Sequence, residues 1–196
     1  MVKSVEFYFD FGSPASYLAW TQLPGIAAQH GANLVYRPVL LGGIHKATNN
    51  ASPAAIPAKG AWMQVDLARF ARRYGVQYIH NPHFPINTLM LMRGATGVQL
   101  QDEGLFLRYV DAVFRAMWEH PCNMGDLPTV RAVLESAGLD ASLLLQLAED
   151  PAVKEKLKKD TEAAVARGLF GAPTMFVGEE MFFGQDRLDF VREALR

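Results

Sequence analysis

The sequence predicts an α/β fold in which a β-α-β segment at one end and a β-β-α segment at the other share a single sheet, with a large block of helices between them. Three observations lead there. Val5–Asp10 is an aromatic-rich strand followed by an amphipathic helix and a second strand. From Trp62 to about Arg167 apolar residues recur almost wholly at helical spacing. Thr174–Val177 and Met181–Phe183 then read as two short strands around the turn Gly178-Glu179-Glu180. A lone pair of strands is marginal in water, so strands from the two ends must pair with each other.

Each element follows from local chemistry. Gly12 breaks the first strand, Ser13 stands as a helix N-cap and Pro14 takes the first helical position. The helix Ser16–Gln29 carries Tyr17, Leu18, Trp20, Leu23 and Ile26 on its apolar face, and His30-Gly31 ends it. Asn33–Arg37 is the second strand, with Pro38 limiting its extension. A β-α-β start implies a parallel pair with a right-handed crossover. Residues 42–60 form a long irregular loop rich in Gly, Pro, Asn and Ala, and loops of that length are usually functional. Asp126-Leu127-Pro128 and Asp150-Pro151 mark helix starts, while Gly138 and Gly168 mark stops. Asp186 caps a last helix that runs through Leu195. This order is that of an α/β thioredoxin-like fold (βαβ…ββα) with a large all-helical insertion. Residues 1–61 and 151–196 are expected to form the thioredoxin-like domain and 62–150 the helical insertion domain.

Composition narrows the function. Half of the 196 residues are apolar, enough for a full core without disulfides or structural metal. The net charge is −1 with no basic stripe, which argues against nucleic-acid binding. The start Met1–Glu6 lacks an apolar signal core, and no apolar run approaches the roughly 20 residues of a membrane span. A cytoplasmic location is the natural expectation. Cys122 is the only cysteine, so an intrachain dithiol is excluded. His120-Pro121-Cys122 lacks the ligands zinc needs, so no metal is expected. Lys154, Lys156, Lys158 and Lys159 read as a solvated helix face, and Trp62, Met63, Leu67, Phe70, Phe106, Tyr109, Val113, Phe114, Met117 and Trp118 as core of the insertion.

Two motifs carry chemistry. Ser13 places a hydroxyl at a helix N-terminus, where backbone N–H groups and the helix dipole favour an anion. No adjacent His and acid make it a triad nucleophile; it suits the stabilisation of a thiolate brought from outside. In Gly168–Thr174, Pro173 follows a small residue just before a strand and suits a cis X–Pro turn. The free N–H and C=O of Ala172 can pair with a peptide-like ligand as a short added strand. Asp10, in an aromatic strand, needs a partner if buried, and a basic residue is expected. Asn50 is most simply a turn residue.

Five segments together, FDFGSPASYL (9–18), GGIHKATNN (42–50), PAKGAWMQVDL (57–67), FGAPTMFVG (170–178) and FFGQDRL (182–188), resemble 2-hydroxychromene-2-carboxylate isomerases and kappa-class glutathione transferases, in the DsbA-like branch of the thioredoxin superfamily. The likeness spans nearly the whole chain. It implies glutathione as cofactor, a small aromatic substrate and a homodimer. Ser13 is similar to the family serine beside the glutathione sulfur and is the implied catalytic residue. Asn50, Ala172, Gln185 and Asp186 match cofactor-binding positions: a loop asparagine, the residue whose backbone grips the cysteinyl unit, and the pair at the γ-glutamyl end. Where naphthalene-pathway members carry a basic loop residue, this chain has His45 followed by Lys46, and Asn81–Asn87 also departs from their pattern. His45, Lys46, His83 and Asn87 are therefore the substrate-binding candidates. The resemblance implies an isomerase in which the thiolate adds to an unsaturated aromatic keto acid and leaves after bond rotation. The alternatives are a kappa-like transferase that consumes glutathione, and a non-catalytic thioredoxin-like thiol or peptide-binding module.

Overall fold

The computed structural model describes residues 2–196. Four strands, β1 (Ser4–Phe9), β2 (Asn33–Pro38), β3 (Thr174–Val177) and β4 (Glu180–Phe183), form one sheet in the order β2-β1-β3-β4. β1 runs parallel to β2 and antiparallel to β3, so the two ends of the chain do share a sheet. β2 continues through Pro38, which lies opposite Phe9. Proline is tolerated there because β2 is an edge strand and gives up no central ladder bond. The next residue, Val39, donates its N–H to the Phe9 carbonyl at 3.1 Å.

The helices are α1 (Pro14–Gln29), α2 (Leu41–Ala47), α3 (Pro57–Tyr74), α4 (Leu89–Gln99), α5 (Glu103–Trp118), α6 (Leu127–Ser136), α7 (Ala141–Glu149), α8 (Pro151–Ala166) and α9 (Leu188–Leu195). Asp126 and Asp150 cap α6 and α8 as expected, accepting from Thr129 N–H and Ala152 N–H. Three expectations need correction. Residues 42–60 are not one irregular loop: they hold most of α2, a 3-10 turn Pro53–Ala55 and the first turn of α3. The glycines misled because α2 is stabilised by tertiary packing rather than propensity. Ile44 is fully buried with Tyr8, Val39 and Leu169. Asp186 does not cap the last helix. It lies in a 3-10 turn, Gln185–Arg187, and Arg187 immediately precedes α9. Trp62 is exposed on α3, while Leu67 and Ala71 form that helix's buried stripe.

The expected core of the insertion is continuous with the sheet. Phe114 of α5 packs on Phe9 and Phe11 with ring centroids 5.6 and 4.8 Å away. Fully buried Trp118 donates its indole N–H to the Phe11 carbonyl at 2.8 Å. The helical block therefore grips the strand end from which Ser13 projects. Among the described residues no helix is long and apolar enough to cross a membrane, and no group of three His, Cys, Asp or Glu side chains could hold a metal ion.

Candidate active site

The turn from β1 to α1 is held from several sides. Gly12 N–H donates to Asp10 Oδ1 at 2.8 Å, Ser13 N–H to the Asp10 carbonyl at 3.0 Å, and Phe11 N–H to the Met92 sulfur at 3.4 Å. With Trp118 on the Phe11 carbonyl, this backbone has little freedom left. Ser13 caps α1: its Oγ accepts from Ser16 N–H at 3.1 Å. The same hydroxyl donates to the Ala172 carbonyl at 2.9 Å, and the side chain is almost wholly buried. The first turn of α1 contains no acid, and the nearby Asp10 carboxyl accepts from Gly12 N–H just before the helix. The neighbouring Ser16 Oγ is buried and has no partner.

The Ala172-Pro173 bond is cis. Segment 170–173 is where the cofactor-binding candidates meet. Asn50 donates its side-chain N–H to the Phe170 carbonyl at 2.9 Å, while its Oδ1 accepts from Ala51 N–H. The turn itself is Thr48–Asn49, where Asn49 takes φ +52°, and Asn50, just after it, ties it to the proline loop. Gly184 N–H donates to the Pro173 carbonyl at 3.0 Å, bringing up the Gln185–Asp186 turn. Phe170 and Phe183 pack with centroids 4.6 Å apart over Gly171, where a Cβ would meet the Phe183 ring at 2.7 Å.

Two participants escaped sequence reasoning. Gly184 adopts φ +103°, and a Cβ there would sit 2.4 Å from Asp186 Oδ1, so only glycine permits this turn. Its position directly after a strand was the available signal. Tyr74, the last residue of α3, donates its hydroxyl to the Gln185 carbonyl at 2.5 Å; burial, the largest influence, pushes that phenol up to about 12. Nothing local in the sequence marks it. Asp186 itself is exposed, with Arg187 3.4 Å away.

The substrate-side candidates lie on two segments. His45 and Lys46 are on α2, whose end is joined to Asn50 by the bond from Asn50 N–H to the His45 carbonyl at 2.9 Å. Burial lowers the His45 imidazole pKa, outweighing the opposite pull of the Asp10 carboxylate. Lys46 is exposed. His83 and Asn87 lie on the exposed stretch before α4, where Asn87 Oδ1 accepts from Leu89 N–H at 3.0 Å. Among the described residues no hydrogen bond links either side chain to segment 170–173.

Among the described residues no lysine or arginine pairs with Asp10, contrary to expectation; two backbone N–H groups and the Thr88 hydroxyl satisfy it instead. Lys158 and Lys159 are exposed and pair with Glu162 and Glu155 one turn away, and Lys154 and Lys156 pair with Glu149 and Asp160, as a solvated helix face should. Cys122 is half-buried and burial pushes its thiol up, away from the thiolate form.

Residues 4–196 match the family model described as DSBA-like thioredoxin domain. The chain is 33% identical to a 2-hydroxychromene-2-carboxylate isomerase of Sphingobium xenophagum, over 100% of this chain and 99% of that protein. It is 29% identical to glutathione S-transferase kappa 1 of Homo sapiens, over 98% of this chain and 91% of the relative. A solved structure of 2-hydroxychromene-2-carboxylate isomerase superposes with a TM-score of 0.86 at 33% identity, covering 98% of this chain and 94% of the other.

Proposed function

We propose that this chain, which belongs to the DSBA-like thioredoxin family together with 2-hydroxychromene-2-carboxylate isomerases and kappa-class glutathione transferases, is a glutathione-dependent isomerase of the 2-hydroxychromene-2-carboxylate type. One observation carries it. A serine hydroxyl, where a redox thioredoxin fold would carry its cysteine, sits at a helix N-terminus and touches the carbonyl preceding a cis-proline.

The groups present fit a γ-glutamyl tripeptide. Ala172 offers a backbone amide to its cysteinyl unit, Asp186 an exposed carboxylate to its ammonium, and Ser13 a hydroxyl to its sulfur. When bound, glutathione would supply a thiol able to add to an electron-poor carbon and leave again, and so would not be consumed. Ser13 donates its proton toward the sulfur, and the N-terminus of α1 adds a favourable field; both stabilise the anion over the thiol. In the structure that proton points to the Ala172 carbonyl. To reach sulfur the Ser13 hydroxyl would rotate away from the Ala172 carbonyl, which could accept a ligand N–H in its place. Asn50 and Gln185 fix the proline loop and the γ-glutamyl turn. His45 and Lys46 on α2, with His83 and Asn87 before α4, orient the carboxylate or phenol of a small aromatic substrate.

Calorimetric titration of glutathione, read alongside thiolate absorbance near 240 nm, tests this on wild type and Ser13→Ala. Saturable binding with a thiolate signal lost in the variant is expected. No binding at millimolar glutathione overturns the assignment. A second reading, conjugation of glutathione to electrophiles, draws on the full-length likeness to the human kappa transferase. The two separate on stoichiometry: isomerisation leaves glutathione undiminished, and transfer consumes one equivalent per turnover. A homodimer in the cytoplasm belongs to the same proposal, and light scattering of the purified protein tests the dimer.

A further inference from the structure

Asp10 directly follows β1 at 2% exposure, and three donors from three separate segments converge on its carboxyl. Gly12 N–H and the Thr88 hydroxyl reach Oδ1 at 2.8 and 2.7 Å, and Leu41 N–H reaches Oδ2 at 2.8 Å. No lysine or arginine pairs with it among the described residues. Burial raises its carboxyl, and the bonds from Thr88, Gly12 and Leu41 oppose this, with His45 contributing last. A buried acid without a cation is a costly way merely to fill space.

Each donor adjoins a residue of the candidate site. Gly12 precedes Ser13. Leu41 opens α2, which carries His45 and Lys46. Thr88 follows Asn87 and stands at the start of α4, yet its hydroxyl makes no cap bond to its own helix and is given to Asp10. Packing is close as well: a Cβ on Gly12 would meet Asp10 Oδ1 and Thr88 Cγ2, each at 3.3 Å. We propose that Asp10 is a positioning residue whose carboxyl locks the Ser13 turn to the start of α2 and to the segment before α4, and so aims the Ser13 hydroxyl at the cofactor sulfur while holding the substrate side in register. It rests on the glutathione-dependent function proposed above.

Single-bond deletions test it. Thr88→Val removes the hydroxyl while keeping the shape, and Thr88→Ser restores it. Leu41→Pro removes the N–H at a first helical position, which accommodates proline, after an extended Leu40, and Leu41→Ala, which keeps the N–H and is expected near wild type, controls for the changed side chain. The readouts are the thiolate fraction of bound glutathione at pH 7 by absorbance near 240 nm, affinity for S-methylglutathione, kcat, and thermal melting. Thr88→Val and Leu41→Pro are expected to cut the thiolate fraction about threefold or more and kcat about tenfold, leaving S-methylglutathione affinity within about twofold. Thr88→Ser should stay near wild type. A Thr88→Val or Leu41→Pro protein that melts as a folded protein with wild-type thiolate fraction and kcat overturns the proposal, as does a Thr88→Ser protein as impaired as Thr88→Val. If wild type itself does not ionise bound glutathione, the proposed function fails and takes this role with it.

Discussion

The Ser13 hydroxyl donates to the main-chain carbonyl of Ala172 at 2.9 Å, across 159 residues of sequence. This bond joins the start of α1, the source of the positive field, to the proline loop, the source of the peptide-pairing edge. On the proposed function it sets the thiolate-stabilising hydroxyl beside the amide that would align the ligand.

Ser13→Ala is therefore expected to lower kcat/KM by roughly 10²–10³, the usual cost of deleting one donor to a developing or resident anion. Affinity for S-methylglutathione should change little, since the loop and turn proposed to hold the tripeptide remain. Loss of the N-cap should also cost about 1 kcal/mol of stability. Steady-state kinetics and urea unfolding on one preparation check all three.

Gly184→Ala attacks the Gln185–Asp186 turn without removing a polar group. The added methyl meets Asp186 Oδ1 at 2.4 Å in a backbone region that is essentially glycine's own. A loss of about 1–3 kcal/mol in unfolding free energy is expected. Glutathione affinity should fall with it, because the turn carrying Gln185 and Asp186 must shift. Calorimetric affinity equal to wild type would show that this turn does not hold the cofactor.

Trp118→Phe strips the donor from the Phe11 carbonyl and leaves that buried acceptor unpaired. The expected cost is about 1–3 kcal/mol. The turn two residues before Ser13 should loosen, visible as faster amide hydrogen exchange at Gly12 and Ser13.

Glu6 governs part of the acid response. Burial alone would raise its carboxyl, yet hydrogen bonds from Arg167 and Arg37, at 2.6 and 2.9 Å, outweigh that and hold it below its ordinary 4.5. A depressed folded-state value means the native protein binds fewer protons than the unfolded chain. Its stabilisation is thus complete above about pH 4.5 and is lost as pH falls through the lowered native value. Glu6→Gln should lower neutral-pH stability and flatten the part of the melting-temperature profile that falls as pH drops below about 4.5. An unchanged acid limb would mean the arginine pairing contributes nothing.

Legibility in the sequence tracked locality. The aromatic strand, the Ser13 cap, the β3–β4 hairpin and the Asp126 and Asp150 caps each depend on residues within a few positions, and each was readable. The cis turn at Ala172-Pro173 was readable for the same reason, with a family resemblance to assign its partner. Helix α2 was hidden because its glycines disfavour helix locally, while Ile44 finds a buried niche among residues from both ends of the chain. Asp186 looked like a helix cap because an acid before an apolar run usually is one; the left-handed Gly184 turns the chain into a 3-10 turn first.

What the chain's chemistry settled alone was the type of site: a hydroxyl at a helix N-terminus, no second cysteine, and an amide edge beside a proline. Tertiary structure decided who meets whom. Asp10 takes its partners from positions 12, 41 and 88, Tyr74 reaches Gln185, and Asn50 reaches Phe170. Such pairings are set by how a shared core lets the sheet and the helical block close on each other. The free energy that selects them comes from burying Phe9, Phe11, Phe114 and Trp118 together, a sum over the whole molecule that no stretch of sequence records.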